Sequence, residues 1–234
     1  MLGFTRIGVY DKPRILIIPT GDEIIGRGKK PGAGEVNESN GVMCTLMVNR
    51  WGGKPTLYKI VKDKPSAIAD ALMEGLDYDL IITTGGTSVG ARDRMTEVLS
   101  SVGKVLLHYA AIVPGRPMGI GFIEGKSKTV PVLYLPGPVA ACATTMFVFA
   151  APAIRKFGHL PDLSLVKENA ILTQDVQAFM GMDMMKKLFI ENGRATPVNM
   201  VGDPVKRGDY AYIIIKGESE GHRTGDRIEV VHLE

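Results

Sequence analysis

The stretch from Asp79 to Asp93 constrains the fold most, because an apolar run ends there abruptly in glycines. Leu80–Thr84 is almost continuously apolar or β-branched, which is typical of a strand buried on both faces. Apolar residues at helical spacing beyond Asp93 predict a helix; they are Met95, Val98, Leu99 and Val102. A strand, a glycine turn and a helix start in an open α/β sheet together predict an anion site with free N–H groups.

The composition excludes several classes of protein. The net charge is only +3 and no Lys/Arg block is interleaved with aromatics, so nucleic-acid binding is not predicted. The uncharged segment 130–154 is interrupted by prolines and a glycine, which leaves a helix shorter than the roughly 20 residues a membrane span needs. No secretory signal is predicted at the start. Cys44 and Cys142 are expected to be buried, reduced and inert, as in a cytoplasmic protein.

Strands and helices alternate over about the first 150 residues, which predicts a largely parallel sheet covered on both sides. The predicted strands are 14–19, 55–61, 80–84, 104–112, 118–123 and 130–135, and the helices begin near residues 39, 63, 94 and 139. After residue 161 the pattern changes to alternating runs separated by Gly/Asp turns, which favours a small β-rich domain. A doubtful helical pattern covers 180–188. The predicted domains are therefore 1–161 and 162–234.

Taken in this order, the chain resembles the molybdopterin molybdenumtransferase family (MoeA-type) of molybdenum cofactor biosynthesis. The resemblance rests on motifs in family order across about residues 14–160: Thr20-Gly21-Asp22-Glu23, Gly34-Glu35-Val36-Asn37-Glu38-Ser39-Asn40, Val61-Lys62-Asp63, Thr84-Gly85-Gly86-Thr87-Ser88-Val89-Gly90, Pro114-Gly115-Arg116-Pro117 and Leu135-Pro136-Gly137-Pro138. It implies an α/β three-layer sandwich with a mostly parallel sheet, the molybdopterin-binding fold, followed by a small, mostly β C-terminal domain.

The resemblance also implies a reaction in which adenylylated molybdopterin receives molybdate or tungstate with Mg²⁺, and AMP is released. Carried over by position, the catalytic acids are Asp22, Glu38, Asp63 and Asp93, and the metal ligands are Asp22, Glu23 and Asp93. The residues implied to bind the pterin and its phosphate are Thr84, Gly85, Gly86, Thr87, Ser88, Gly90, Arg116, Pro136 and Gly137. Carboxylates suit Mg²⁺, which keeps several waters and takes few protein ligands. A homo-oligomer, a dimer or a trimer, is also implied.

The chain departs from the family pattern in three places. The family usually reads Lys-Pro-Gly-Lys-Pro where this chain has Val113-Pro114-Gly115-Arg116-Pro117, and arginine is not equivalent to lysine as an oxyanion ligand. An asparagine is deleted within Leu135–Pro138, and one Asp-Asp pair is Asp63-Lys64. The resemblance does not extend to the family's N-terminal domains, and these are not expected in this chain. These departures leave open a non-catalytic molybdopterin carrier or sensor. A second alternative is a metal-dependent nucleotide pyrophosphatase of the competence/damage-inducible type, which shares the fold.

Each predicted site residue also has a purely structural interpretation. Asp22 and Glu23 could belong to a solvated turn, and Glu38 could be a surface acid that favours the positive end of a helix. Asp63 is a good N-cap for a helix with Pro65 in its first turn, and Asp93 could cap the next helix. Arg116 could be a solvated surface charge.

Overall fold

The computed structural model describes residue 3 and residues 5–86, 94–126, 128–199 and 207–232. The chain forms two compact units: residues 1–108 with 117–163, and residues 109–116 with 164–234. The strands are β1 (Arg14–Pro19), β2 (Ile24–Ile25), β3 (Val36–Asn37), β4 (Lys54–Leu57), β5 (Leu80–Thr84), β6 (Gly103–His108), β7 (Ile112–Val113), β8 (Gly119–Glu124), β9 (Thr129–Leu135), β10 (Val166–Leu172), β11 (Val176–Gln177), β12 (Asp183–Glu191), β13 (Arg194–Pro197), β14 (Asp209–Ile215), β15 (Gly221–His222) and β16 (Arg227–His232). The helices are α1 (Asn40–Arg50), α2 (Pro65–Glu74), α3 (Arg94–Val102), α4 (Val139–Thr145) and α5 (Ala151–Phe157).

The first unit is built on a six-stranded sheet with the order β4-β1-β5-β9-β8-β6. β4, β1, β5 and β9 are parallel neighbours, β8 is antiparallel to β9, and β6 is antiparallel to β8. Five of the six strands therefore run in the same direction. β1 and β5 form the centre of this unit, because Ile15–Ile18 and Leu80–Thr84 are buried throughout. The predicted α/β fold with a mostly parallel sheet is confirmed.

Helices cover both faces of this sheet, which gives three layers. On one face α2 and α3 pack against alternate side chains of the strands, for example Ile68 of α2 and Leu99 of α3 in the same cluster as Ile81. On the other face α1 and α4 meet through Cys44 and Cys142. Gly53 lies at a point where Val48 of α1, Ile154 of α5 and Ile15 of β1 converge.

Val139–Phe157 is one apolar helical stretch in which a π turn, Met146–Ala150, joins α4 to α5. The wider turn accommodates Pro152, which has no N–H to donate and would clash in a regular helix interior. In the described part of the chain, this is the one helix whose length and composition would allow it to cross a membrane. Cys142, Met146, Ala150 and Ile154 are fully buried in the first unit, as expected of a core helix.

The second unit is a β structure with the strand order β13-β10-β16-β14-β12-β7, and β13 also pairs with β12. That additional pairing closes the strands into a barrel. The core lies inside it, with Leu172, Leu188, Ala211, Ile213 and Val230 buried. β11 and β15 form a separate two-stranded ribbon. The predicted β-rich C-terminal region is confirmed.

Three predicted elements are wrong in detail. The predicted strand 55–61 stops at Leu57, the last residue of β4, and Val61 forms only an isolated bridge with Thr20. The predicted strand 104–112 ends at His108, and Ile112 and Val113 pair instead with Asp183 and Met184 in the sheet of the second unit. Residues 109–116 therefore belong to that unit, although they fall within the predicted domain 1–161. The doubtful helix at 180–188 is a strand, β12, because it pairs with β14 along seven residues. The division into folding domains 1–161 and 162–234 remains a prediction.

Candidate functional site

A cleft of about 370 Å³ lies at the carboxyl edge of the first unit's sheet. Its walls come from the end of β1 (Pro19, Thr20), the end of β5 (Thr84, Gly85), the start of α1 and the turn after β9 (Gly137, Pro138). β1 leads through α1 to β4 on one side of the sheet, whereas β5 leads through α3 to β6 on the other. Connections that part in this way open a crevice between the two strands, which is where open α/β sheets bind ligands.

The glycine turn after β5 packs directly against the end of β1. Gly85 has φ of +87° and Gly86 has φ of +65°, both in the left-handed region that favours glycine. A Cβ on Gly85 would lie 2.2 Å from the carbonyl oxygen of Thr20, and one on Gly86 would lie 2.8 Å from Thr20 Oγ1. The structure thus places the predicted residues Thr84 and Gly85 in the cleft wall, with Gly86 beside them.

The prediction that the glycine turn offers free N–H groups is wrong at Gly85. Its N–H donates to the carbonyl oxygen of Leu135 at 3.1 Å, and the Thr84 carbonyl accepts from Thr20 N–H at 2.8 Å. The turn is therefore tied to both neighbouring strands. Gly85 makes room for a ligand by having no side chain, and its amide is already engaged.

Three acids approach one another at this edge. The N–H of Asp63 donates to Asp22 Oδ1 at 3.2 Å, and Glu23 lines the cleft. Asp63 Oδ1 is buried, has no hydrogen-bond partner among the described residues and faces the glycine turn, 3.8 Å from the position of a Cβ on Gly86. Burial, reinforced by the charges of Asp22 and Glu23, raises the pKa of Asp63, while Arg94 acts in the opposite direction.

The interpretation of Asp63 as a helix cap is wrong. α2 begins at Pro65 with Lys64 in the N-cap position, and no side chain bonds its first turn. A buried carboxylate oxygen without a donor is costly unless a ligand or ion satisfies it. Asp63 is therefore the strongest candidate for a functional acid among the described residues.

Lys62 holds the loop that carries two of these acids, a role that the sequence reasoning missed. Its ammonium donates to the carbonyl oxygens of Asp22 at 2.8 Å and Ile24 at 3.5 Å. Lys62 lies within the motif Val61-Lys62-Asp63, which could have drawn attention to it. Its contact with Asp22 spans 40 residues and cannot be predicted from the spacing of residues along the chain.

The carboxylates at this edge are possible ligands for Mg²⁺. Among the residues that the structure describes, no three His, Cys, Asp or Glu side chains are close enough to hold a metal ion together. Mg²⁺, however, is usually bound through one or two carboxylates, with waters and substrate phosphates completing its shell. The unpartnered oxygen of Asp63 next to Asp22 meets that smaller requirement, so the acids fit the ion.

Glu38 is buried rather than on the surface, at 7% exposure. Its carboxylate accepts a hydrogen bond from the N–H of Gly41 in the first turn of α1, where the helix leaves its amides unpaired. This contact accounts for its position. The predicted catalytic role of Glu38 remains a prediction.

Asn40 joins α1 to the turn after β9. Its amide nitrogen donates to the carbonyl oxygen of Gly137 at 2.7 Å, while its Oδ1 is buried without a partner in the described ranges. The predicted residue Gly137 thus lies in the cleft wall, whereas Pro136 is buried outside it. Asn40 ends the motif Gly34–Asn40, but the motif predicts no role for it, because its partner Gly137 lies 97 residues further along the chain.

The remaining predicted site residues are Arg116 and four residues of the segment that follows Gly86. Arg116 belongs to the second unit, where its guanidinium lies 5.9 Å from the ring centre of Tyr109. Thr87, Ser88, Gly90 and Asp93 lie outside the described residues. Their predicted roles remain predictions.

Cys44 and Cys142 meet across α1 and α4 with their sulfurs 3.8 Å apart, and both are fully buried and free. The hydrogen bond that they share and their burial raise the pKa of the Cys44 thiol well above its ordinary value. The structure therefore supports the predicted burial of both cysteines.

We expect these thiols to be unreactive in the folded protein, because the thiolate is the reactive form and burial disfavours it. Iodoacetamide at pH 8 should alkylate both at least about a hundredfold more slowly in buffer than in 8 M urea. Mass spectrometry of peptides from timed quenches measures both rates. Equal rates in buffer and in urea would contradict the prediction.

Comparisons with known proteins identify the family to which the sequence is similar. Residues 16–156 match the family described as "Probable molybdopterin binding domain". The molybdopterin molybdenumtransferase of Nostoc sp. is 33% identical over 157 residues, which are 66% of this chain and 36% of the relative. That of Staphylococcus epidermidis (strain ATCC 35984) is 25% identical over 99% of this chain and 57% of the relative.

The fold agrees as well. The crystal structure of the molybdopterin biosynthesis MoeA protein from Pyrococcus horikosii matches 94% of this chain and 54% of that chain, with a TM-score of 0.80 at 24% identity. The chain thus spans about half the length of the relatives it matches, or less. Since the family match covers more than half of its residues, the chain belongs to the family of probable molybdopterin-binding domains.

Proposed function

We propose that the chain acts in molybdenum cofactor biosynthesis by binding adenylylated molybdopterin in the cleft and assisting the Mg²⁺-dependent insertion of molybdate or tungstate, with release of AMP. The observation that carries the proposal is the carboxylate oxygen of Asp63 that has no partner among the described residues and lies beside the Gly85–Gly86 turn, in a chain of this family. The names of the relatives support the same pathway.

The residues of the cleft have separable tasks in this proposal. The bare Cα atoms of Gly85 and Gly86 let the ligand approach the backbone, and the buried Oδ1 of Asn40 accepts a hydrogen bond from an amino group of the ligand. Asp63 and Asp22 would hold Mg²⁺ with waters and the ligand's phosphate completing its shell, and Glu23 and Asp93 are the other acids proposed to act on the ion. The bound ion would offset charge that develops on the phosphate oxygens during cleavage of the anhydride.

The structure also suggests how the acids are kept in place. Lys62 fixes the loop of Asp22 through two carbonyl oxygens, and Asp22 accepts from the N–H of Asp63. The raised pKa of Asp63 follows first from burial and then from the charges of Asp22 and Glu23, and a divalent cation would offset the repulsion between these acids. The loop and its acids therefore form a connected unit.

We also propose that the protein is cytoplasmic and forms a homo-oligomer.

The reaction gives the direct test. With adenylylated molybdopterin, Mg²⁺ and molybdate, the wild-type protein should release AMP, which chromatography quantifies. The test variant is Asp63→Asn, and its matched control is Asp70→Asn. Asp70 is an exposed acid on α2, so the control removes the same charge. That variant should retain wild-type activity. No AMP release by the wild type would refute turnover.

A second candidate is a non-catalytic carrier or sensor of molybdopterin. It is favoured by the departures from the family pattern at Val113 and within Leu135–Pro138. Calorimetry separates the two functions, because a carrier binds molybdopterin without releasing AMP. Absence of binding would remove both candidates, and ADP-ribose with divalent metals would then test the pyrophosphatase alternative.

A further inference from the structure

A second cavity of about 440 Å³ adjoins the cleft at the same edge of the sheet. It lies beyond the end of β4, the neighbour of β1, and shares Pro19 and Glu38 with the cleft. Its lining includes two cations, Arg27 and Lys59, and one acid, Glu38. None of the functions described above uses these two cations.

The loop that carries Arg27 is held in a defined shape. The N–H of Lys29 donates to the carbonyl oxygen of Gly26 at 3.4 Å, which closes a tight turn around Arg27. With its amide nitrogen facing this turn, Asn37 donates to the same oxygen of Gly26 at 3.2 Å and to that of Lys29 at 3.1 Å. Asn37 itself lines the cleft, so the position of Arg27 is tied to the cleft wall.

The segment of Lys59 is fixed in a similar way. The N–H groups of Tyr58 and Val61 donate to the carbonyl oxygens of Ile17 at 2.8 Å and Pro19 at 2.9 Å, so the backbone on both sides of Lys59 continues alongside β1. The Lys59 ammonium lies 5.3 Å from the centre of the Tyr58 ring. A rigid backbone on each side reduces the entropy lost when the two cations close on a ligand.

The charge balance favours an anion. Across the described ranges neither Arg27 nor Lys59 forms an ion pair. Glu38 is the one acid of the lining, and its carboxylate is engaged with the N–H of Gly41 at the start of α1. Two cations that form no ion pair with the described residues, one a guanidinium that can bind two oxygens at once, match a tetrahedral oxyanion.

We propose that Arg27 and Lys59 form an oxyanion subsite beside the cleft, which takes a tetrahedral dianion. The inference rests on the proposed function, since two sources would supply this chemistry: the phosphate of the cleft ligand or the free metal oxyanion. In either case the subsite holds negative charge beside the cleft, with which it shares Pro19 and Glu38, without adding a cation to the cleft itself.

Titration calorimetry at low ionic strength tests the proposal with sodium tungstate and, separately, with adenylylated molybdopterin. The test variant is Arg27→Gln/Lys59→Gln. The control is Lys30→Gln/Lys54→Gln, which removes the same charge from exposed lysines outside the cavity. We expect the test variant to lose at least about tenfold in affinity for one or both ligands and the control to stay within about twofold of wild type.

The pattern of loss identifies the source. A loss confined to tungstate assigns the subsite to the free oxyanion, and a loss confined to the pterin assigns it to the ligand's phosphate. Equal affinities of wild type and test variant for both ligands, an equal loss in the control, or no binding of either ligand by the wild type would overturn the inference. If the wild type binds tungstate through Arg27 and Lys59 but ignores the pterin, the proposed function fails while the subsite stands.

Discussion

Gly85→Ala is expected to destabilise the protein by about 3 kcal/mol, because two costs add at this position. The φ of +87° is unfavourable for any residue with a Cβ, and that Cβ would lie 2.2 Å from the carbonyl oxygen of Thr20. Relief would require β1 and β5 to separate where Thr20 N–H bonds the Thr84 carbonyl. Urea unfolding followed by circular dichroism measures the change in the free energy of unfolding.

Gly137→Ala is the matched control for this substitution. Gly137 lines the same cleft and has no positive φ. The nearest atom to its Cβ would be Gly85 Cα at 3.9 Å, an ordinary contact. We expect it to change the free energy of unfolding by less than about 0.5 kcal/mol. If both variants unfold at the same urea concentration as wild type, the turn does not press on β1 as described.

The central strands were predictable from the sequence because their signal is local. Arg14–Pro19 and Leu80–Thr84 are short apolar runs that end in a threonine or glycine turn, and both strands have the predicted bounds. The rule that ligands gather at the carboxyl ends of such strands then located Asp22, Glu23 and Gly85 at one edge. This part of the site needed no knowledge of long-range contacts.

β12 shows how a local signal misleads. Met184, Met185, Leu188 and Phe189 have a spacing that imitates a helical face. In the structure the even-numbered pair Met184 and Leu188 faces the barrel core, while Phe189 packs on the other side against Tyr210. Burial on both sides of a strand therefore removed the alternation that identifies strands.

The rest of the site depends on contacts between distant residues. Asn40 reaches Gly137 across 97 residues, Cys44 meets Cys142 across 98, and Lys62 binds the loop of Asp22 across 40. Each follows from the order of strands in the sheet, which brings α1, the end of β4 and the turn after β9 to one edge. Spacing along the chain gives no measure of such distances.

Asp63→Asn is expected to separate stability from function. The folded state raises the pKa of Asp63, chiefly through burial and then through Asp22 and Glu23, so the ionised carboxylate is less stable in the folded protein than in the unfolded chain. Between the unfolded and folded pKa values the native state binds more protons, and stability therefore falls as the pH rises through that window. Above that window the full cost is present, and there the neutral amide of the variant should raise the free energy of unfolding.

The same substitution should reduce the AMP release proposed above by at least about a hundredfold, since the buried oxygen at the glycine turn would no longer be anionic. Urea unfolding at pH 7 and at pH 3.5 gives the second readout, because protonation of wild-type Asp63 at low pH removes the difference in stability between the two proteins. Asp70→Asn, at an exposed acid of the following helix α2, should leave both activity and stability near wild type. An Asp63→Asn variant that is less stable at pH 7 yet fully active would show that this carboxylate serves the fold and not the reaction.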